Sequence, residues 1–224
     1  MSPTTKTILC YVTDRRSLPA PSLAPSAQPL KDLPTVIAQA LSAGVDWVQI
    51  REKDLPGAAL LALAGEAVAE GKGHSRVVIN DRLDVAMAAR ADGVHLGETS
   101  LPVAQVAAWI RKARAAGQVE KGFVVGASCH SLESARQAER DGADYIFFGP
   151  AFATPSKAAF GAPQGLERLR EVCAGLRIPV LAIGGITLEN ARPCIEAGAA
   201  GIAAIRLFQN AKDPAGVVAT LRDL

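Results

Sequence analysis

Eight short apolar runs rich in valine and isoleucine alternate with longer stretches of helical period, and this rhythm constrains the fold more than any single motif. The runs are ILCYVT (8–13), DWVQI (46–50), RVVIN (76–80), GVHL (93–96), FVVGA (123–127), DYIFFG (144–149), PVLAIG (179–184) and GIAAI (201–205). Strands that alternate with helices build a parallel sheet, and eight strands can close into a barrel. A weak repeat agrees: SAGVDWVQI, RADGVHL, DGADYIFFG and AGAAGIAAI put small residues before every second run, where a helix must turn sharply into a strand. An open doubly wound sheet would share the alternation, but no GxGxxG follows the first run and the pattern does not change halfway. The expected class is α/β, a single-domain (β/α)8 TIM barrel over residues 1–224.

One segment breaks the rhythm. Residues 17–34, SLPAPSLAPSAQPLKDLP, are rich in Pro, Ser and Ala. They read either as a semi-rigid surface linker or, being the first βα loop of a barrel, as a lid over its mouth. The 24 basic and 22 acidic residues nearly balance, so no global field advertises a nucleic acid or a membrane, and phosphate binding has to be local. The start of the chain, MSPTTKTILCYVTDRR, lacks the long apolar core of a leader, and no stretch approaches the roughly 18 apolar residues of a membrane span. A cytoplasmic location is expected. Cys10, Cys129, Cys173 and Cys194 have neither CxxC nor Cys/His spacing, which favours reduced, mostly buried thiols over disulfides or zinc. A homo-oligomer is compatible with this composition.

Barrel active sites form where strands end and βα loops begin, so the polar residues just past each run are the ones to collect. VQIREKD places Gln49, Arg51 and Lys53 on alternate positions of an extended chain, an anion clamp or an exposed charge run. In VVINDRLD, Asn80 and Asp81 either cap the next helix or bind a ligand and a divalent cation. In DGVHLGETSLP, Ser100 with Leu101 and Pro102 makes a reasonable helix start, unless the loop is part of the site. VGASCHS offers Ser128, His130 as a base or a structural histidine, and Ser131 as a helix cap. FFGPAFATPSK carries Thr154, Ser156 and Lys157, a set suited to phosphate although not a Walker motif. AIGGITLEN supplies Gly184, Gly185 and the capping Thr187, and the last strand runs into Ile205 and Arg206; barrels commonly bind phosphate at these two strand ends. Several cations around one carboxylate, Asp81, suit a phosphorylated or diphosphorylated substrate with Mg²⁺. A carboxylate pair or a Ser/His/Asp triad is not seen.

Taken together, VQIREKD, VINDRLDVAMAARADGVHLG, VGASCHS, GADYIFFGPAFATPSK and IPVLAIGGITLENA resemble thiamine phosphate synthases and the related thiazole tautomerases, from about Tyr11 to Ile205. The resemblance implies a (β/α)8 barrel enzyme, a transferase. It would join 4-amino-5-hydroxymethyl-2-methylpyrimidine diphosphate to 4-methyl-5-(2-phosphoethyl)thiazole, or its carboxylate, giving thiamine phosphate and diphosphate. It further implies that Gln49, Arg51, Lys53, Asn80, Ser128 and Lys157 hold the pyrimidine diphosphate, with Arg51, Lys53 and Lys157 assisting its departure. Thr154, Pro155, Ser156, Gly185, Ile205 and Arg206 would hold the thiazole phosphate, and Asp81 the Mg²⁺. Two positions depart from the family pattern: Ser100 stands where a second magnesium aspartate is usual, with Glu98 as the nearby carboxylate, and Arg206 stands where a serine is usual. The alternative the resemblance carries is a thiazole tautomerase using His130 for proton transfer. A third is a non-catalytic binding protein of the same pathway.

Overall fold

The computed structural model describes residues 6–18, 32–154 and 162–224. Its strands are β1 (Ile8–Val12), β2 (Trp47–Ile50), β3 (Arg76–Asn80), β4 (Gly93–Leu96), β5 (Val124–Cys129), β6 (Tyr145–Phe148), β7 (Val180–Ile183) and β8 (Gly201–Ala204). All pair in parallel, and β8 returns to β1 with Ile202 opposite Leu9, so the barrel is closed. Between and after them run α1 (Asp32–Ser42), α2 (Gly57–Gly71), α3 (Leu83–Ala88), α4 (Val103–Ala115), α5 (Leu132–Arg140), α6 (Gly165–Gly175), α7 (Leu188–Glu196), α8 (Arg206–Gln209) and α9 (Pro214–Arg222).

The strands are buried on both faces, which is why they read as continuous apolar runs rather than as alternation. Period two still sorts them. Leu9, Tyr11, Val48, Ile50, Val77, Ile79, Val94, Leu96, Ile146 and Phe148 belong to the large core packed against the helices. Cys10, Val12, Trp47, Tyr145, Phe147, Leu181 and Ala203 form a second cluster inside the barrel. Residues between the outward ones therefore point inward, and this places Gln49, Asn80, His95 and Ser128 on the inner wall.

The internal repeat has a physical basis at the far end of the barrel. A residue with positive φ precedes each even strand: Gly44, Arg90, Gly142 and Gly198. In three of the four units an aspartate then accepts a backbone N–H from the preceding strand, Asp46 from Leu9, Asp92 from Val77 and Asp144 from Val125. These carboxylates tie strand pairs together where the helices arrive.

Two boundaries change. The Pro-rich loop ends earlier than residue 34, because α1 begins at Asp32, and its first residue, Ser17, closes a short 3-10 turn, Arg15–Ser17; residues 19–31 lie outside the described set. Strand β5 continues through Ser128 and Cys129 instead of stopping at Ala127, so Ser128 is held by the sheet and not by a loop. All four cysteines are free, and three are buried.

Candidate active site

Across the mouth, β2 to β5 present one polar row. Gln49 Nε2 donates to Asn80 Oδ1 at 3.0 Å, and Asn80 Nδ2 donates to Asp81 Oδ2 at 2.7 Å. Asn80 pairs in register with His95, whose Nε2 meets Ser128 Oγ at 2.9 Å while Nδ1 meets Tyr145 Oη at 3.1 Å. His95 also lies against the Phe147 ring, centroids 4.2 Å apart. Gly126 makes this possible: a Cβ there would come within 2.1 Å of the Tyr145 ring. Gln49 is 2% exposed, and its Oε1 has no hydrogen-bond partner among the described residues.

The Asp81 backbone has φ +62°, a left-handed conformation that aspartate tolerates better than most L residues. It turns the side chain toward the β4 loop, where Oδ1 accepts from the Ser100 hydroxyl and from Gly97 N. Asp81 is not a helix cap: the N-cap of α3 is Arg82, without a side-chain capping bond. Nor is Ser100, since the N-cap of α4 is Pro102 and the Ser100 hydroxyl is committed to Asp81 and Gly97. Both alternatives that treated these residues as caps are thereby corrected. Ser131 does cap α5, accepting from Ser134 N at 3.0 Å, and Thr187 occupies the N-cap of α7.

Glu98 is not brought to Asp81. Its carboxylate stands 3.7 Å from His130 Nε2 and is 68% exposed, while His130 Nδ1 bonds the Gly149 carbonyl. The carbonyl can only accept, so Nδ1 is the donor in that contact, and Nε2 is the ring nitrogen on the Glu98 side.

Arg51 and Lys53 follow the end of β2, half-buried and exposed respectively, and neither side chain makes a hydrogen bond or ion pair among the described residues. On the opposite side of the mouth, Ala151 N donates to Ile183 O and Phe152 N to Gly184 O, strapping the β6 loop with Thr154 onto the end of β7. Gly185 is required there, with φ +68° and no room for a Cβ, which would fall 2.6 Å from Ala153 O. Ile205 and the exposed Arg206 continue from β8, the next strand. Pro155, Ser156 and Lys157 lie outside the described residues.

Sequence reasoning missed His95. Its signal was one polar residue inside the apolar triplet Val94-His95-Leu96. Burial pushes its imidazole down to about 3, with Asp81 opposing the shift and Arg51 adding to it. The folded state keeps His95 neutral, whereas the unfolded chain takes up a proton below its ordinary value of 6.5. The linked stability is complete above that pH and falls by up to about 1.4 kcal/mol per pH unit as the pH drops toward 3. Urea unfolding at pH 7 and pH 5 should show a shallower loss for His95→Gln than for the wild type; equal losses would contradict a buried neutral imidazole.

The family model described as thiamine monophosphate synthase matches residues 23–208. This chain belongs to that family. It is 38% identical over 224 residues to a thiamine-phosphate synthase of Roseiflexus castenholzii, covering 99% of this chain and 90% of the relative. It is 41% identical over 209 residues to one of Chlorobium luteolum, covering 92% and 87%. Among solved structures, a thiamine phosphate pyrophosphorylase from Pyrococcus furiosus superposes with TM-score 0.77 at 32% identity, over 98% of this chain and 95% of the other. The family assignment makes the chain a transferase of thiamine biosynthesis, as its resemblance implied.

Proposed function

We propose that the mouth of the barrel joins the pyrimidine diphosphate to the thiazole phosphate, or to its carboxylate with loss of carbon dioxide, forming thiamine phosphate. The diphosphate leaves the pyrimidine methylene carbon with the C–O electron pair, and the thiazole nitrogen forms the new C–N bond. Such a reaction needs no protein nucleophile. It needs stabilisation of the leaving group and alignment of two substrates. One observation carries this reading: Gln49 Oε1 is a buried acceptor on the inner wall without a partner among the described residues. An acceptor left so costs about 1–3 kcal/mol, and the exocyclic amine of a pyrimidine is a donor that would satisfy it.

In this reading Gln49, Asn80 and Ser128 orient the pyrimidine, and Arg51 and Lys53 receive the diphosphate because no acid among the described residues already holds them. Lys157 joins them by its motif. Gly185, Thr154, Pro155, Ser156, Ile205 and Arg206 take the thiazole phosphate. The donor set at Asp81 is all oxygen, a carboxylate beside the Ser100 hydroxyl, and no group of three or more His, Cys, Asp or Glu among the described residues forms a closed metal cage. That suits Mg²⁺, which keeps waters and substrate phosphate oxygens in its shell. Asp81 with Ser100 would hold it, and it would neutralise charge on the departing diphosphate. Phosphorylated substrates of this kind support a cytoplasmic setting.

Purified protein given both substrates and Mg²⁺ should release thiamine phosphate and diphosphate in equal amounts. Absence of both products would end the proposal. A second reading, thiazole tautomerisation, draws on His130, whose Nε2 stands 3.7 Å from the Glu98 carboxylate. In it His130 would move the proton, and His130→Ala would abolish isomerisation of the thiazole carboxylate.

A further inference from the structure

Five polar or charged side chains are buried among the described residues: Thr13, Gln49, Glu52, His95 and Gln209. Gln49 and His95 belong to the polar row of the site. The other three all converge on the turn that follows β1. Gln209 Oε1 accepts from Tyr11 Oη and Asp14 N, and its Nε2 donates to Asp14 O and Ser17 Oγ. From the other side, Glu52 accepts from Thr13 Oγ1 at 2.7 Å, from Arg15 N and from Arg15 Nη1 at 3.0 Å. Thr13 Oγ1 in turn accepts from Arg51 N at 2.9 Å. A turn so anchored has one arrangement, and it delivers the Arg15 guanidinium to a defined place.

That place decides the charge around the proposed diphosphate site. The run Arg51-Glu52-Lys53-Asp54 alternates in sign, so each base has an acid as a chain neighbour, and both acids are held from the β1 turn. Arg15 binds Glu52 and also forks onto Asp54, with both N–O distances at 2.6 Å, and Arg16 adds a further contact to Asp54 at 2.5 Å. Arg51 and Lys53 remain unpaired among the described residues.

We propose that Arg15 is a positioning residue of the diphosphate site: by taking both carboxylates of the Arg51–Asp54 run, it keeps Arg51 and Lys53 available to the anion. This rests on the synthase reading. Arg15 acts through its neighbours and does not itself hold the substrate, which separates the proposal from a simple extra cation.

The test is steady-state kinetics with each substrate varied. Arg15→Gln should raise KM for the pyrimidine diphosphate about tenfold, the scale of a unit charge acting over several ångströms at intermediate dielectric. The KM for the thiazole phosphate should stay within about twofold. Adding Asp54→Asn to Arg15→Gln should bring the diphosphate KM most of the way back. If R15Q has the wild-type KM, or if D54N does not rescue it because Arg15 contacts the anion directly, the proposal is overturned. A buried Glu52 without its counter-ion could unfold R15Q, so the same comparison is made between R15Q/E52Q and R15Q/E52Q/D54N; equal diphosphate KM values there also overturn it. Wild-type protein that makes no thiamine phosphate would refute the synthase reading instead, and the two failures are thus distinct.

Discussion

Arg51→Ala should lower kcat/KM for the pyrimidine diphosphate by about 10²–10³-fold, the cost of removing one preorganised donor from a site of developing negative charge. Its fold stability should stay within about 0.5 kcal/mol of the wild type. The two expectations have one cause. Arg51 is half-buried beside a neutral imidazole and pairs with no acid among the described residues. An unpaired cation contributes little to folding, and an anion arriving there gains a charge-assisted bond without first breaking an internal one. Lys53, more exposed, should show the same direction with a smaller loss. Tautomerisation of the thiazole carboxylate, if the protein carries it, should be spared in both variants. A fall of less than threefold in kcat/KM for Arg51→Ala would remove it from the diphosphate site.

Asp81→Asn should raise the Mg²⁺ concentration for half-maximal rate by about 100-fold or more, because the one carboxylate of the donor set is lost and altered metal ligation costs at least the 10–100-fold seen for supporting groups. Ser100→Asp should move it the other way. The Ser100 hydroxyl already donates to Asp81 Oδ1, so a carboxylate at that position would face the first one directly. Two like charges that close destabilise the metal-free protein, and Mg²⁺ binding to the folded state would recover the loss by mass action. The Tm of S100D should therefore lie below that of the wild type without Mg²⁺ and rise more steeply when Mg²⁺ is added with diphosphate. Calorimetric titration of Mg²⁺ supplies a measure independent of turnover. An unchanged Mg²⁺ response in S100D would mean that the β4 loop serves only to hold Asp81 in place.

How far the site was legible follows from what each residue depends on. Gln49, Asn80, Asp81 and Ser128 could be placed together at the rim because a barrel sends every strand end to one side, so position in the eightfold rhythm is nearly position in space. Gly185 could be found because a glycine pair after a strand marks close backbone approach, and the Ala153 carbonyl is indeed in the way of any Cβ. Glu98 was misplaced for the opposite reason. Its distance from Asp81 along the chain resembles that of Ser100, but the rotation of the β4 loop turns Ser100 toward Asp81 and Glu98 toward His130. Two residues apart in a loop, they point to different partners, and no periodicity governs that choice.

The amino-acid sequence by itself determined the closed barrel, the approximate strand positions and the collection of polar and cationic groups at one rim, because apolar period and turn chemistry act locally and repeat eight times. Tertiary structure alone decided the pairings. His95 finds Tyr145 and Ser128 across 50 and 33 residues, Arg15 finds Glu52 across 37, and Gln209 finds Asp14 across 195. Such partners are brought within hydrogen-bond reach only when β8 closes onto β1 and the strands take their register, and a buried polar group must then bond whatever the closure sets beside it. Glu52 and Asp54 are chain neighbours of Arg51 and Lys53, but barrel closure sets both beside Arg15.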